Sequence, residues 1–381
     1  MQENQRDFFV VTPPGTEPIC AAEMSALGLL SRQTTHGGIS FSGGLRELYL
    51  ANLWLRTASR VLVRLGTFSA RDFPTLYKRL LRLPWGSYIK PETDYRIRVA
   101  SARSRLNHSD RIAEVCGQAI SRALGTTAEG ASGSAATTQT ILLRLAEDQV
   151  EVSIDSSGEH LHRRGYRRLR NAAPLRENLA AAALLACAYD GKVPLIDIMT
   201  GSGTFVIEAA LIALHRPPGR DRAFAFMDWP KFRHGLWQQL LAEAQRHELP
   251  HPPRKIVGID SNPKAIAAAQ ENIRQAGLAS AIDVRQERLQ TLTPSTPEGL
   301  LVGNPPYGER LGKGTSLQRF YHDLDRLYGE TFAPWQGLLL CPQQLVASMK
   351  KVRFMPAASF SHGGIKVAAL VKQPLNTRKT P

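Results

Sequence analysis

A chain of 381 residues has room for two or three domains, each with its own core. Hydrophobic residues make up 43% and charged residues 21%, which excludes an intrinsically disordered chain, and no apolar run approaches the roughly 20 residues that span a membrane. The formal net charge of +15, carried more by arginine than by lysine, points to a polyanion such as nucleic acid, because a guanidinium fork can hold two phosphate oxygens at once.

The opening MQENQRDFFVV has neither the basic stretch nor the apolar core of a signal peptide. Cys20, Cys116, Cys187 and Cys341 form no CxxC pair, so neither a metal site nor a disulfide framework is expected, and a cytoplasmic location fits. FFVVT reads as a strand ended by Pro13-Pro14-Gly15. GTEPICAAEMSALGL reads as a helix stopped at Gly28, and GGISFSG as a short strand. A second α+β unit follows. LRELYLANLWLRTA is helical, RVLVRLGTF is a strand, and FPTLYKRLLRLPW is a helix stopped at Pro84. DYRIRVASA is a strand, and SDRIAEVCGQAISRALG is a helix with Ser109 as N-cap and Gly125 as its stop. TTAEGASGSAATT is a polar loop, and TILLRLAEDQVEVSIDSSG gives two strands around Glu147-Asp148.

Beyond the basic stretch HLHRRGYRRLRNAAP the pattern changes. ENLAAAALLACAY is an Ala-rich helix. Strands then alternate with helices: VPLIDI, KIVGID, AIDVRQ, LLVGN, GLLLC and a final GIKVAALVK. Such alternation predicts an α/β domain with a mostly parallel, Rossmann-like sheet, whose ligands sit beyond the C-terminal ends of the strands.

Three strand ends carry the chemistry. VPLIDI runs into DIMTGSGTFVIEAA, where Gly201 and Gly203 open a tight turn into a helix. The third glycine of a dinucleotide fingerprint and the Gly-Lys-Ser/Thr of an ATP site are both missing. Such a GSG is often only a turn. KIVGID ends in Asp260, which can accept from both hydroxyls of a ribose or simply cap the next helix. LLVGNPPYGERLG stops a strand at Asn304, because Pro305 and Pro306 cannot donate to a sheet ladder. Alone, these residues also suit a strand-terminating turn with a packing Tyr307. The five arginines Arg163, Arg164, Arg167, Arg168 and Arg170, beside Tyr166, suit phosphate contact or a solvated linker.

Together the motifs resemble a known family. RRGYRR, APLRENLAAA, DIMTGSGTFVIEAA and GNPPYGERLG are similar to the THUMP-containing class I S-adenosylmethionine-dependent RNA guanine-N2 methyltransferases. Within that family the similarity is strongest to the methyltransferase half of bacterial 23S rRNA enzymes that make N2-methylguanosine. The resemblance implies a ferredoxin-like segment at 1–50, a THUMP-like RNA-binding domain at 51–160, and a methyltransferase domain at 161–381 whose first residues, 161–173, form a basic linker. It places Asp197, Gly201, Ser202 and Gly203 against the cofactor's amino-acid end, Asp260 on its ribose, and Asn178 near it. Asn304, Pro305, Pro306 and Tyr307 would hold the target base. Ile198 and Thr200 stand where the family often has Pro and Cys, and either Gln286 or Glu287 is expected at the adenine.

The implied reaction needs no metal. Asn304 and the Pro305 carbonyl accept the N–H groups of an exocyclic amine, and Tyr307 stacks on the extruded base. RNA is the expected partner, rRNA before tRNA, for a monomer. N6-adenine methylation is an alternative chemistry, and a catalytically silent RNA-binding or assembly factor an alternative class. A fragment from about Asn171 onward is expected to retain cofactor binding.

Overall fold

The computed structural model describes residues 5–126, 138–167, 175–305, 315–347, 349–362 and 364–374. The first half runs β1 (Arg6–Val11), α1 (Glu17–Ala26), β2 (Ser31–Thr35), β3 (Gly38–Gly43), α2 (Leu45–Trp54), β4 (Arg60–Ser69), α3 (Phe73–Leu80), β5 (Tyr95–Ala102), α4 (Ser109–Leu124), β6 (Gln139–Ala146) and β7 (Gln149–Asp155). All seven strands join one sheet in the order β2-β3-β1-β4-β7-β6-β5, antiparallel except for β5 beside β6. The expected division between residues 50 and 51 falls inside α2, and strands from both sides of it pair through β1 and β4.

Local chemistry explains most of these elements. Asp72 caps α3 by accepting the Thr75 N–H at 2.7 Å. Gly125 ends α4 with φ 72°, the left-handed stop that its position implied. The N-cap of α4 is His108, not Ser109, which is already the first helical residue. Strand β2 was not expected: every residue of SRQTT is exposed, so no apolar alternation marks it, and pairing with β3 alone makes it a strand.

The second half runs α5 (Glu177–Ala186), β8 (Leu195–Asp197), α6 (Thr204–Ala213), α7 (His234–His247), β9 (Ile256–Asp260), α8 (Pro263–Gln275), β10 (Asp283–Gln286), β11 (Leu300–Gly303), α9 (Thr315–Arg326), β12 (Gln336–Cys341), β13 (Met355–His362) and β14 (Ile365–Lys372). Its sheet has the order β10-β9-β8-β11-β12-β14-β13. The first five of these strands are parallel, and β14 is antiparallel to both neighbours. After β8 the chain goes to one side of it, and β11 later pairs on the other. The crevice between β8 and β11 is therefore the topological switch point, where ligands of such sheets bind. Strand β13 was unexpected because Pro356 and a bulge interrupt its pattern.

The halves dock through buried polar groups. Glu23 of α1 accepts the backbone N–H groups of Arg56 and Thr57, at 2.8 and 3.0 Å, and the Thr57 hydroxyl, at 2.6 Å. This fixes the turn between α2 and β4. From that turn Arg56 donates to the carbonyls of Leu211 and Arg216, at 3.1 and 2.9 Å, near the end of α6. The alanines of α5 keep it thin, and every residue from Glu177 to Leu184 is buried.

Candidate active site

Asp197 closes β8 with no exposed surface. Its Oδ1 accepts the Met199 N–H at 3.2 Å, while Oδ2 is buried without a hydrogen-bond partner. Burial pushes this carboxyl up to about 7, partly offset by the Met199 N–H and reinforced by the nearby Asp260 charge. The turn that follows depends on its glycines. Gly201 and Gly203 have φ of 52° and 86°, the left-handed region that other side chains rarely enter. Gly203 also packs tightly, since a Cβ there would lie 3.4 Å from the Ala269 Cβ of α8.

Neighbouring strands hold the turn in place. The Thr200 N–H donates to the Ile259 carbonyl at 2.8 Å, which ties the turn to β9. Asp260, at the end of β9, accepts the Gly201 N–H on Oδ2 at 3.1 Å and the Asn262 N–H on Oδ1 at 2.9 Å. Asp260 thus braces the glycine turn, and each of its oxygens keeps a free lone pair for a further donor. Asn272 of α8 donates from Nδ2 to the Ser202 carbonyl at 3.0 Å. Nothing in the linear sequence marks Asn272.

On the other side of the crevice, Val302 of β11 pairs in register with Asp197 of β8, and Asn304 follows two residues later. The Oδ1 of Asn304 is buried and accepts nothing. Pro305 is buried beside it. Pro306 and Tyr307 lie outside the described residues, as do Arg168 and Arg170. Two adjacent parallel strands therefore end in two buried, unsatisfied acceptors, Asp197 Oδ2 and Asn304 Oδ1. Such atoms cost about 1–3 kcal/mol each when left unpaired, and both have lone pairs free to accept a further N–H.

Asn178 sits near the start of α5, 1% exposed. Its amide nitrogen faces the first half of the chain, 3.4 Å from both the Thr57 carbonyl and Ser59 Oγ, and its Oδ1 has no partner. Gln286 ends β10 and donates to the Ser261 carbonyl at 3.1 Å, whereas Glu287 pairs with Arg285 at 3.3 Å.

The arginine segment behaves differently from expectation. Arg164 is buried, donating to Glu208 of α6 at 3.3 Å and to the carbonyls of Leu161 and Arg56 at 2.6 Å each. Tyr166 is buried as well, its hydroxyl unpaired. Arg164 is buried with its donors committed to Glu208 and two carbonyls, and Tyr166 is packed into the apolar core of the second half, so neither is a surface contact for phosphate; this corrects the expectation drawn from their charge and ring. Arg167 is largely buried, bound to Glu177 at 3.0 Å, to the Leu175 carbonyl at 3.0 Å and to Thr204 Oγ1 at 2.9 Å. Of these described side chains only Arg163 is exposed, paired with Glu159 at 2.9 Å. The overlooked signal was the partner: Glu208 in the apolar run FVIEAALIAL needs a buried cation.

Comparisons with known proteins agree with this architecture. Residues 164–355 match the family described as RMKL-like, methyltransferase domain, and residues 7–62 match the RlmL ferredoxin-like domain. The chain is 39% identical over 344 residues to a protein of Syntrophotalea carbinolica named ribosomal RNA large subunit methyltransferase K/L, covering 87% of this chain and 48% of that one. The chain spans about half the length of the K/L relatives it matches. It is 31% identical over 370 residues to a putative RNA methyltransferase of Synechocystis, covering 96% of each. Among solved structures, a putative methyltransferase complexed with SAH superposes with a TM-score of 0.89 at 28% identity, covering 99% of this chain and 100% of that one. The glycine turn and the paired acceptors at the switch point thus stand inside a matched methyltransferase domain, and the chain belongs to the UPF0020 family of RMKL-like methyltransferases.

Proposed function

We propose that this protein transfers a methyl group from S-adenosylmethionine to the exocyclic N2 amine of a guanosine in RNA, with large-subunit rRNA as substrate. The observation that carries the reading is the pair of buried, unsatisfied acceptors at the ends of β8 and β11. The K/L relatives are named for large-subunit rRNA, and the SAH-bound structural neighbour supports the cofactor.

The residues fit the group. Asp197 Oδ2 would accept from the cofactor's ammonium, the glycine turn would allow close backbone approach, and Asp260 would offer its remaining lone pairs to the ribose hydroxyls. When bound, S-adenosylmethionine supplies an electrophilic sulfonium methyl. An aromatic amine is a poor nucleophile because its lone pair is delocalised into the ring. Asn304 Oδ1 and the Pro305 carbonyl accept its two N–H groups, favour a pyramidal nitrogen, and aim its lone pair. Buried, rigid acceptors need no reorganisation during transfer. Tyr307 stacks on the base.

The test is to incubate the purified protein with unmodified rRNA and labelled S-adenosylmethionine, and to identify the product by nucleoside mass spectrometry. N2-methylguanosine is expected. A main product of N6-methyladenine overturns the assignment. N2-methylguanosine appearing in tRNA and not in rRNA transfers the function to tRNA.

A further inference from the structure

A cleft of about 390 Å³ lies where the first half meets the start of α5, lined by His162, Arg163, Arg167, Arg176 and the carboxylates Glu159 and Glu177. Arg163 and Arg167 already match those two carboxylates. Arg176 has no ion pair among the described residues. The cleft is one side chain from the glycine turn, since Arg167 also reaches Thr204, the residue after Gly203.

The turn that forms one wall has each of its carbonyls from Gly158 to Leu161 held by an arginine. Arg222 donates to the carbonyls of Glu159, His160 and Leu161, at 2.9, 3.1 and 2.8 Å. Arg164 takes a second lone pair of Leu161, and Arg60 takes the Gly158 carbonyl at 2.5 Å. On this turn His160 and His162 stack, ring centroids 5.2 Å apart. Burial and the charges of Arg60, Arg163, Arg176 and Arg98 hold His160 down to about 4. Burial, His160 and Arg176 hold His162 down to about 3, so both rings are neutral at pH 7.

Arg98 is exposed on β5, near enough for its charge to act on His160 beside the cleft. Along β5, Tyr95, Ile97 and Val99 are half-buried, and the Tyr95 hydroxyl donates toward the Gly117 carbonyl of α4 at 3.4 Å. Arg96 and Arg98 alternate with them and are exposed on the other face. In register across that face stand Arg98, Leu142, Ser153 and Arg64. The carboxylates there are already taken: Glu151 by Arg64 and Arg144, and Asp155 by Arg60. Arg96 and Arg98 are paired with no carboxylate among the described residues, so their charge is uncompensated.

We propose that Arg96, Arg98 and Arg176 form a cationic track that binds the phosphate backbone of RNA, running from the exposed face of β5 to the cleft at the start of α5 and so toward the catalytic domain. The track rests on the RNA-methylating function proposed above and names the surface that delivers the substrate. Phosphate contacts of this kind position a nucleic acid without reading its sequence.

The test compares wild type with R96A/R98A and with R176A, using a transcript of large-subunit rRNA and fluorescence anisotropy between about 50 and 200 mM salt. Each variant should bind the transcript roughly tenfold more weakly at the low-salt end, and the logarithmic salt slope should fall by about 0.7–0.9 for each phosphate contact removed. S-adenosylmethionine affinity of R96A/R98A should not change, which excludes a general folding defect. If wild type methylates RNA while both variants keep its affinity and slope, the track is wrong and the function stands. A wild type that neither binds nor methylates RNA overturns both.

Discussion

Asp197 is the residue on which burial acts most directly. Its carboxyl is held at about 7 because burial, with the nearby Asp260 charge, outweighs the stabilisation of its charge by the Met199 N–H and the Thr200 side chain. A cation arriving at Oδ2 favours the ionised form, so binding releases a proton when the pH is at or below that value. Affinity for S-adenosylmethionine should therefore fall as pH drops below about 7, by up to about tenfold per pH unit. Titration calorimetry in buffers of different ionisation enthalpy checks this, and D197N should bind weakly with no such dependence between pH 5 and 7. The same raised value also predicts an effect on stability. The folded protein holds this proton more tightly than the unfolded chain, so ligand-free stability declines as pH rises from about 4 to 7. D197N should raise the ligand-free melting temperature more at pH 8 than at pH 5, by about 2–4 °C for each kcal/mol recovered. Thermal scans showing an equal shift at both pH values would refute an Asp197 that is neutral at pH 5 and destabilising once ionised at pH 8.

Asn304 offers a contrasting case, because the role proposed for its buried Oδ1 is to accept from the substrate amine and not from the cofactor. N304A should leave S-adenosylmethionine affinity within about a factor of three yet lower single-turnover methylation by 10²-fold or more, the typical weight of one preorganised donor or acceptor. Near-wild-type turnover would reduce NPPY to a strand-ending turn.

Helix α6 shows how one element carries both stability and function. It begins immediately after Gly203 and is almost wholly buried, including Glu208. Arg167 holds its first residue, Arg164 pairs with Glu208, and Arg56 takes carbonyls near its end. Removing one partner of such a buried pair strands the other charge, at a cost of about 3–5 kcal/mol. R164A should accordingly lower the stability of the whole chain by that amount in urea unfolding, and R164A/E208L should recover much of the loss. Arginine replacements at 164 or 167 are thus tests of folding. Surface replacements at Arg96, Arg98 and Arg176 are the ones that test RNA contact.

Over the whole molecule, the same contacts argue against an independent catalytic half. A fragment beginning near Asn171 retains the complete second sheet but loses Arg56 and Arg164, which leaves Glu208 buried and unpaired. It also uncovers the face of α5 that meets the turn around Thr57 and Ser59. The expectation that such a fragment keeps cofactor binding is replaced by its opposite: it should be unfolded or aggregated at 25 °C. Restoring residues 1–170 on the same chain should restore a cooperative transition. A soluble fragment that binds S-adenosylmethionine with full-length affinity would show that the interface contributes little.

The linear sequence by itself determined what depends on local chemistry. Short apolar runs alternating with helices marked β8, β9, β11 and β12, glycines marked the turn after Asp197, and paired prolines ended β11 at Asn304, because each of these follows from backbone sterics and patterning over a few neighbours. Strands without such patterning escaped it. SRQTT is a strand only because β3 offers its edge, and β13 only because β14 does. Tertiary structure also decided the fate of every charge. Five arginines in eight residues look alike in sequence, but Arg164 lies in the core opposite Glu208 while Arg163 stays in water, and neither outcome can be read from neighbours along the chain. A buried charge is set by which distant partner it meets, and that partner was supplied by a helix more than forty residues away.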